Sequence, residues 1–175
     1  MCIRDRYTEI LAPLMKSKGT LYIANYDLSD NPIPNKQFSE KYLSLLKRVD
    51  DTYRDKLAGN PSLYSAINYV DFNPKNPVFD LNEGVDLVLT FRNVHNWAKS
   101  GTTDEMFQSF YKALKTGGVL GVVEHRARAG TPFSQQIKSG YMTEQFVIKT
   151  AEKAGFVFKA GSDINNNSLD AKDHK

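Results

Sequence analysis

The side chains suited to chemistry fall in a few short segments. Phe91-Arg92-Asn93-Val94-His95 sets a guanidinium and an imidazole three positions apart, just after the most apolar run in the chain. Imidazole titrates near neutral pH, so His95 suits a base facing a bound acceptor. The plainer alternative has His95 capping the loop through a backbone contact. Burying Arg92 alone would be costly, so it must meet a cleft or a carboxylate. Glu124-His125-Arg126 offers a carboxylate, an imidazole and a guanidinium in succession. Successive side chains of an extended segment point to opposite faces, so at most two of the three share one site. That site is an acceptor pocket or a structural ion pair. Asn25 offers an amide carbonyl as acceptor without charge assistance, with Asp27 as a second choice. Asp71-Phe72 pairs a carboxylate with an apolar neighbour. For both, the alternative is an ordinary strand end with a core phenylalanine. Trp97 and Tyr141 are placed by position as acceptor-pocket aromatics. His95, His125 and His174 lack metal-ligand spacing, and Cys2 is the lone cysteine, so no metal is expected.

The elements that must carry these residues alternate between helix and strand patterns, the sequence form of an α/β sheet. Tyr7, Ile10, Leu11 and Leu14 give a first helical stripe, and Pro13 predicts that this helix is short or kinked, ending near Gly19. Strands are expected at 20–26, 65–72, 85–91, 119–124 and 156–161. Asn31-Pro32-Ile33-Pro34-Asn35 reads as a loop. A long helix follows, with Phe38, Tyr42, Leu45, Leu46, Val49, Tyr53 and Leu57 on one stripe, ended by Gly59-Asn60-Pro61. Val85–Phe91 is apolar at nearly every position, which predicts a parallel strand buried on both faces. Thr102-Thr103-Asp104-Glu105 fits a capping box. The helix it opens turns Phe107, Phe110, Tyr111 and Leu114 to the core and stops at Gly117-Gly118. Thr143 starts a last helix, closed by Gly155. Ligands of such sheets bind at the carboxyl ends of the strands, where the segments above lie.

Composition fits one domain with a real core: 175 residues, 41% hydrophobic and 25% charged. The 23 basic and 20 acidic residues give a net charge of +3, with both signs interspersed. No basic face supports a nucleic-acid partner, and no apolar run is long enough to span a membrane. Residues 1–6 (MCIRDR) lack the apolar stretch of a signal peptide.

Read together, these segments resemble the class I S-adenosylmethionine-dependent methyltransferases, in particular a group of small predicted bacterial methyltransferases. The carriers are Asp86–Trp97 (DLVLTFRNVHNW), the Lys115-Thr116-Gly117-Gly118 turn with Val119–His125 after it, Tyr7–Pro13 and Tyr141–Phe156. The turn is similar to the family's Lys-Pro-Gly-Gly, with Thr116 in place of proline. The resemblance implies a doubly wound, mostly parallel Rossmann-like sheet and S-adenosylmethionine as cofactor. It also implies roles. Asn25 or Asp27 would meet the ribose, Asp71 and Phe72 the adenine, and Phe91, Arg92 and Asn93 the floor of the cofactor pocket, with Tyr7 on the helix after the glycine motif. His95 would face the acceptor as the catalytic base, with Trp97, Glu124, His125 and Tyr141 around a small-molecule acceptor.

Two departures from the family pattern matter. The family's Asp/Glu-x-Gly-x-Gly strand end should precede Tyr7, where this sequence has MCIRDR. Its last antiparallel strand should follow Lys175. The expectation is therefore a foreign or disordered lead-in over 1–6 and a partial domain over 7–175, lacking the first and last strands. That first strand would lie mid-sheet, between the strands at 20–26 and 85–91. Any export signal would lie in the missing N-terminal part, so the location is open, with cytoplasmic as the default expectation only. Two other functions stand beside methyl transfer. One is a nicotinamide-dependent oxidoreductase, which would need a G-x-G-x-x-G turn that this sequence lacks. The other is a non-enzymatic or inactive protein of the same fold.

Overall fold

The computed structural model describes residues 3–29 and 39–170. Cys2, the 31–35 loop, Phe38 and His174 lie outside that range. The chain divides into two compact units, Met1–Asp80 and Leu81–Lys175, and its class is α/β.

The first unit runs α1 (Ile3–Met15), β1 (Leu21–Tyr26), α2 (Glu40–Ala58), α3 (Pro61–Tyr64) and β2 (Ile67–Phe72). The two strands pair in parallel, in register from Leu21↔Ile67 to Tyr26↔Phe72. The backbone of α1 is helical from Ile3, four residues before the expected start, and Pro13 is accommodated inside it. The buried face of α1 differs from the expected stripe: Thr8 and Ala12 are buried, whereas Ile10 and Leu14 are 59% and 56% exposed. A similar rotation affects α2. Tyr42, Leu45 and Val49 are exposed, and Leu57 is the fully buried apolar residue. The turned-in positions include Asp50 and Arg54, which meet polar partners at the ends of β1 and β2. Hydrogen bonding, not apolar area, sets the facing of α2 there. Ser39 caps α2 by accepting from the Tyr42 N–H.

The second unit runs β3 (Val85–Phe91), α4 (Val94–Ser100), α5 (Thr103–Ala113), β4 (Leu114–Val123), α6 (Phe133–Ser139) and α7 (Glu144–Ala154). β3 and β4 are parallel neighbours, but the register jumps from Val85↔Leu114 to Leu87↔Val119. The extra residues are the Lys-Thr-Gly-Gly segment, which loops out of the pairing with Gly117 at φ +81. Helix α5 therefore ends at Ala113, ahead of the expected stop at Gly117-Gly118. The capping box is not formed. Thr102 makes no side-chain cap, and its hydroxyl contacts Ser100 Oγ at 2.9 Å instead. Thr143 does cap α7, accepting from the Phe146 N–H at 3.3 Å.

Two further expectations fail here. β3 is not buried on both faces: Leu87 and Leu89 are 52% and 38% exposed, while Thr90 is buried. An apolar run marks a strand, but only packed elements bury its second face, and Leu87 and Leu89 stand on the face left open among the described residues. Residues 156–161 form no strand, so the described strands number four rather than five. Apolar content there found no pairing partner; Val157 is 79% exposed. The core of this unit is Val94, Trp97, Met106, Phe107, Phe110 and Met142, all buried.

Trp97 sits in that core, with its ring centroid 5.6 Å from that of Phe110, so its fluorescence reports this unit. Phe107→Ala should cost about 3–5 kcal/mol, as for buried aromatic truncation. Leu89→Ala, on the open face, should cost about 1 kcal/mol or less. Urea unfolding followed at Trp97 separates the two, and equal costs would contradict the one-sided burial of β3.

Candidate functional site

The carboxyl ends of β3 and β4 lie side by side because the strands are parallel. Arg92 closes β3 by donating its backbone N–H to the Val123 carbonyl at 2.7 Å. Its φ of +56° is the only positive value at a non-glycine residue among the described residues. For an L residue this left-handed conformation costs about 1–2 kcal/mol, and glycine or asparagine would fit it better. The sharp turn lets α4 begin at Val94, so His95 stands in the first turn of a helix rather than in a loop.

Glu124 follows β4 directly, with a side chain only 5% exposed. Oε2 accepts from the His95 backbone N–H at 3.2 Å and lies 3.1 Å from His95 Nδ1. Oε1 accepts from the His125 N–H at 2.9 Å. A buried carboxylate is tolerated only with such partners. With Nδ1–H donating to Glu124, Nε2 of His95 is left as the basic nitrogen. One carboxylate thus holds both the backbone and the ring of His95, which stands in α4 rather than capping a loop.

After β4 the chain returns beside itself. Met142 N–H donates to the His125 carbonyl at 2.8 Å, and Ala127 N–H donates to the Met142 carbonyl at 2.9 Å. This bridge lays the Tyr141 ring against His125, with centroids 4.9 Å apart and planes 31° apart. Tyr141 OH donates to Asp170 Oδ1 at 2.8 Å. Burial lowers the His125 pKa below 6.5; the Arg92 charge pushes it down further, and Glu124 and Asp170 oppose the shift. A groove of about 1020 Å³ reaches Glu124, His125, Arg126, Met142 and Asp170, room enough for a small ligand.

The structure brings together His95, Glu124, His125 and Tyr141, with Arg92 alongside. It sets others apart. Trp97 is core, not pocket wall. Arg126 turns to Asp163 at 2.9 Å and Glu144 at 3.7 Å, a structural pair. Asn93 bonds Thr90 Oγ1 at 3.2 Å, and Phe91 is half-buried at the strand end. Asp170 was not legible in the sequence, since it lies far along an irregular segment with no motif.

In the first unit, Asn25 and Asp71 are register partners at the strand ends. Asn25 is buried and donates from Nδ2 to Asp50 Oδ1 at 3.2 Å. Arg54 bridges Asp50 Oδ2 and Asp71 Oδ1, each at 2.8 Å, and lies over the Tyr69 ring at 4.2 Å. Burial works against the Arg54 charge, but its bonds to Asp50 and Asp71 hold its pKa above the usual value. In the sequence the signal for Asp50 and Arg54 is only their i,i+4 spacing within α2. Phe72 packs between Tyr26 and Phe79, 5.2 and 4.9 Å away, as a core ring. Asp27 is exposed, and the Ser29 N–H at 2.9 Å lowers its pKa. Tyr7 is half-buried on α1.

No group of three or more His, Cys, Asp or Glu side chains among the described residues is placed to hold a metal ion. No described helix is long and apolar enough to cross a membrane. Compared with protein-family models and with curated proteins, the chain matches none.

Glu124→Gln leaves one oxygen where two now accept from three nitrogens. It should destabilise the second unit by about 1–3 kcal/mol in urea unfolding; an unchanged midpoint would refute the anchoring role. The depressed His125 pKa has a defined sign. Between that pKa and 6.5 the unfolded chain binds more protons, so stability falls as pH drops through this window. His125→Gln should flatten that fall, and the His125 NMR titration midpoint should rise in Arg92→Gln.

Proposed function

We propose that the protein transfers a methyl group from S-adenosylmethionine to a small-molecule acceptor, on a doubly wound sheet of the methyltransferase kind. The observation that carries this reading is the strand pairing. In the resembled fold the strands equivalent to β1 and β2 are parallel neighbours, and so are those equivalent to β3 and β4. The carboxyl ends of both pairs hold the polar side chains that such an enzyme needs. By the resemblance, Asn25 or Asp27, Asp71, Phe72 and Tyr7 of the first unit hold the family's nucleoside-side positions, and Phe91–Asn93 of the second unit hold its pocket-floor positions.

S-adenosylmethionine supplies the electrophilic methyl group. The chain's own residues do the rest. His95 takes the acceptor's proton at Nε2 while Glu124 holds Nδ1, and the alignment of acceptor with methyl carbon supplies most of the acceleration. His125, backed by the buried Tyr141 ring, borders the groove in which the acceptor lies.

Isothermal titration of the protein expressed from its source reading frame tests the cofactor. S-adenosylhomocysteine should bind and NAD should not; binding of NAD favours the oxidoreductase, and binding of neither favours the non-enzymatic reading. With an acceptor in hand, His95→Ala should lower kcat about 10²–10⁴-fold. Unchanged turnover would remove His95 from the chemistry.

A further inference from the structure

We infer that the acceptor is a small hydroxy acid whose carboxylate is held by the Arg92 guanidinium while its hydroxyl faces His95. This rests on the methyl-transfer reading and adds to it the class of substrate.

Three observations on the second unit carry it. Arg92 occupies a left-handed position that a glycine or asparagine would take without strain, so its side chain serves something other than the turn. Its guanidinium takes no hydrogen bond or ion pair among the described residues, and the residue is exposed. Arg54 and Arg126, by contrast, each bind two carboxylates. Finally, Arg92 stands at the end of β3, three residues from His95 and bonded to Val123, the neighbour of Glu124. A guanidinium there is a fork for a planar carboxylate.

The charge around it selects a monoanion. Around His125 the Arg92 charge is opposed by Glu124, tied to three nitrogens, and by Asp170, tied to Tyr141. A single guanidinium in surroundings that also carry two acidic groups suits one negative charge better than a phosphate dianion.

The carboxylate is the handle and not the methylated atom. If it were alkylated, its ester would be neutral and Arg92 would lose its grip as the reaction advanced, which opposes catalysis. At the hydroxyl the balance closes. The O–H proton passes to His95 Nε2, the oxygen forms a bond to the methyl carbon, and the sulfur–methyl bond breaks to leave a neutral thioether. The carboxylate keeps its charge throughout.

The probe is 4-hydroxybenzoate against its neutral isostere 4-hydroxybenzamide, followed by the His95 and His125 imidazole resonances without any S-adenosylmethionine. The acid should give saturable shifts, and the amide should bind at least about tenfold more weakly, as expected for loss of a charge-assisted contact. Arg92→Gln and Arg92→Asn should each lose that preference, and Arg92→Asn should match or exceed the wild-type thermal midpoint because it relieves the strained turn. No shift with the acid, equal shifts with both probes, or an undiminished preference in both variants would overturn the assignment. Because cofactor is absent, failure of methyl transfer itself leaves this result readable.

Discussion

The candidate site depends on one buried carboxylate. Glu124 enters the protein at the end of β4, where the side chain is almost wholly removed from water. An ion in that position costs several kcal/mol unless its lone pairs are filled. They are filled by the first turn of α4 and by the next residue of its own chain. The consequence is geometric. α4 must start close to β4, β3 must turn within one residue to let it, and Arg92 must accept a positive φ. The constraint that holds the carboxylate also sets His95, His125 and the strained arginine around it.

The first unit solves a similar problem with different chemistry. Its buried amide, Asn25, is paired to Asp50, and Arg54 joins that aspartate to the end of β2. Polar side chains at the ends of parallel strands must be satisfied somehow. In one unit a helix reaches down with an ion pair; in the other a helix backbone comes to the carboxylate. Both arrangements tie the strand ends to a helix, as a preorganised site requires.

How much of this the sequence revealed follows from the range of each interaction. β3 is legible to the residue because its run is apolar at nearly every position and is bounded by Gly84 and Arg92. α7 was found because Thr143 and Gly155 are local signals acting on adjacent backbone. The facing of α2 was missed because Asp50 and Arg54 respond to Asn25 and Asp71, far away in the chain. The same holds for Glu124 and His95: each was singled out, but their 3.1 Å contact spans 29 positions and no spacing rule announces it. The failed strand at 156–161 makes the complementary point, since a strand exists only where a neighbour accepts its hydrogen bonds.

The proposed function requires the carboxyl end of β3 to be a binding edge for an S-adenosyl ligand, with His95 held by Glu124. Backbone amide shifts on adding S-adenosylhomocysteine to the isotope-labelled protein test it most directly. Shifts should concentrate at Phe91, Asn93 and His95, with the amides of Val85 and Asp86 at the other end of the strand unmoved. Shifts scattered over both ends, or centred on the exposed face of Leu87 and Leu89, would contradict it.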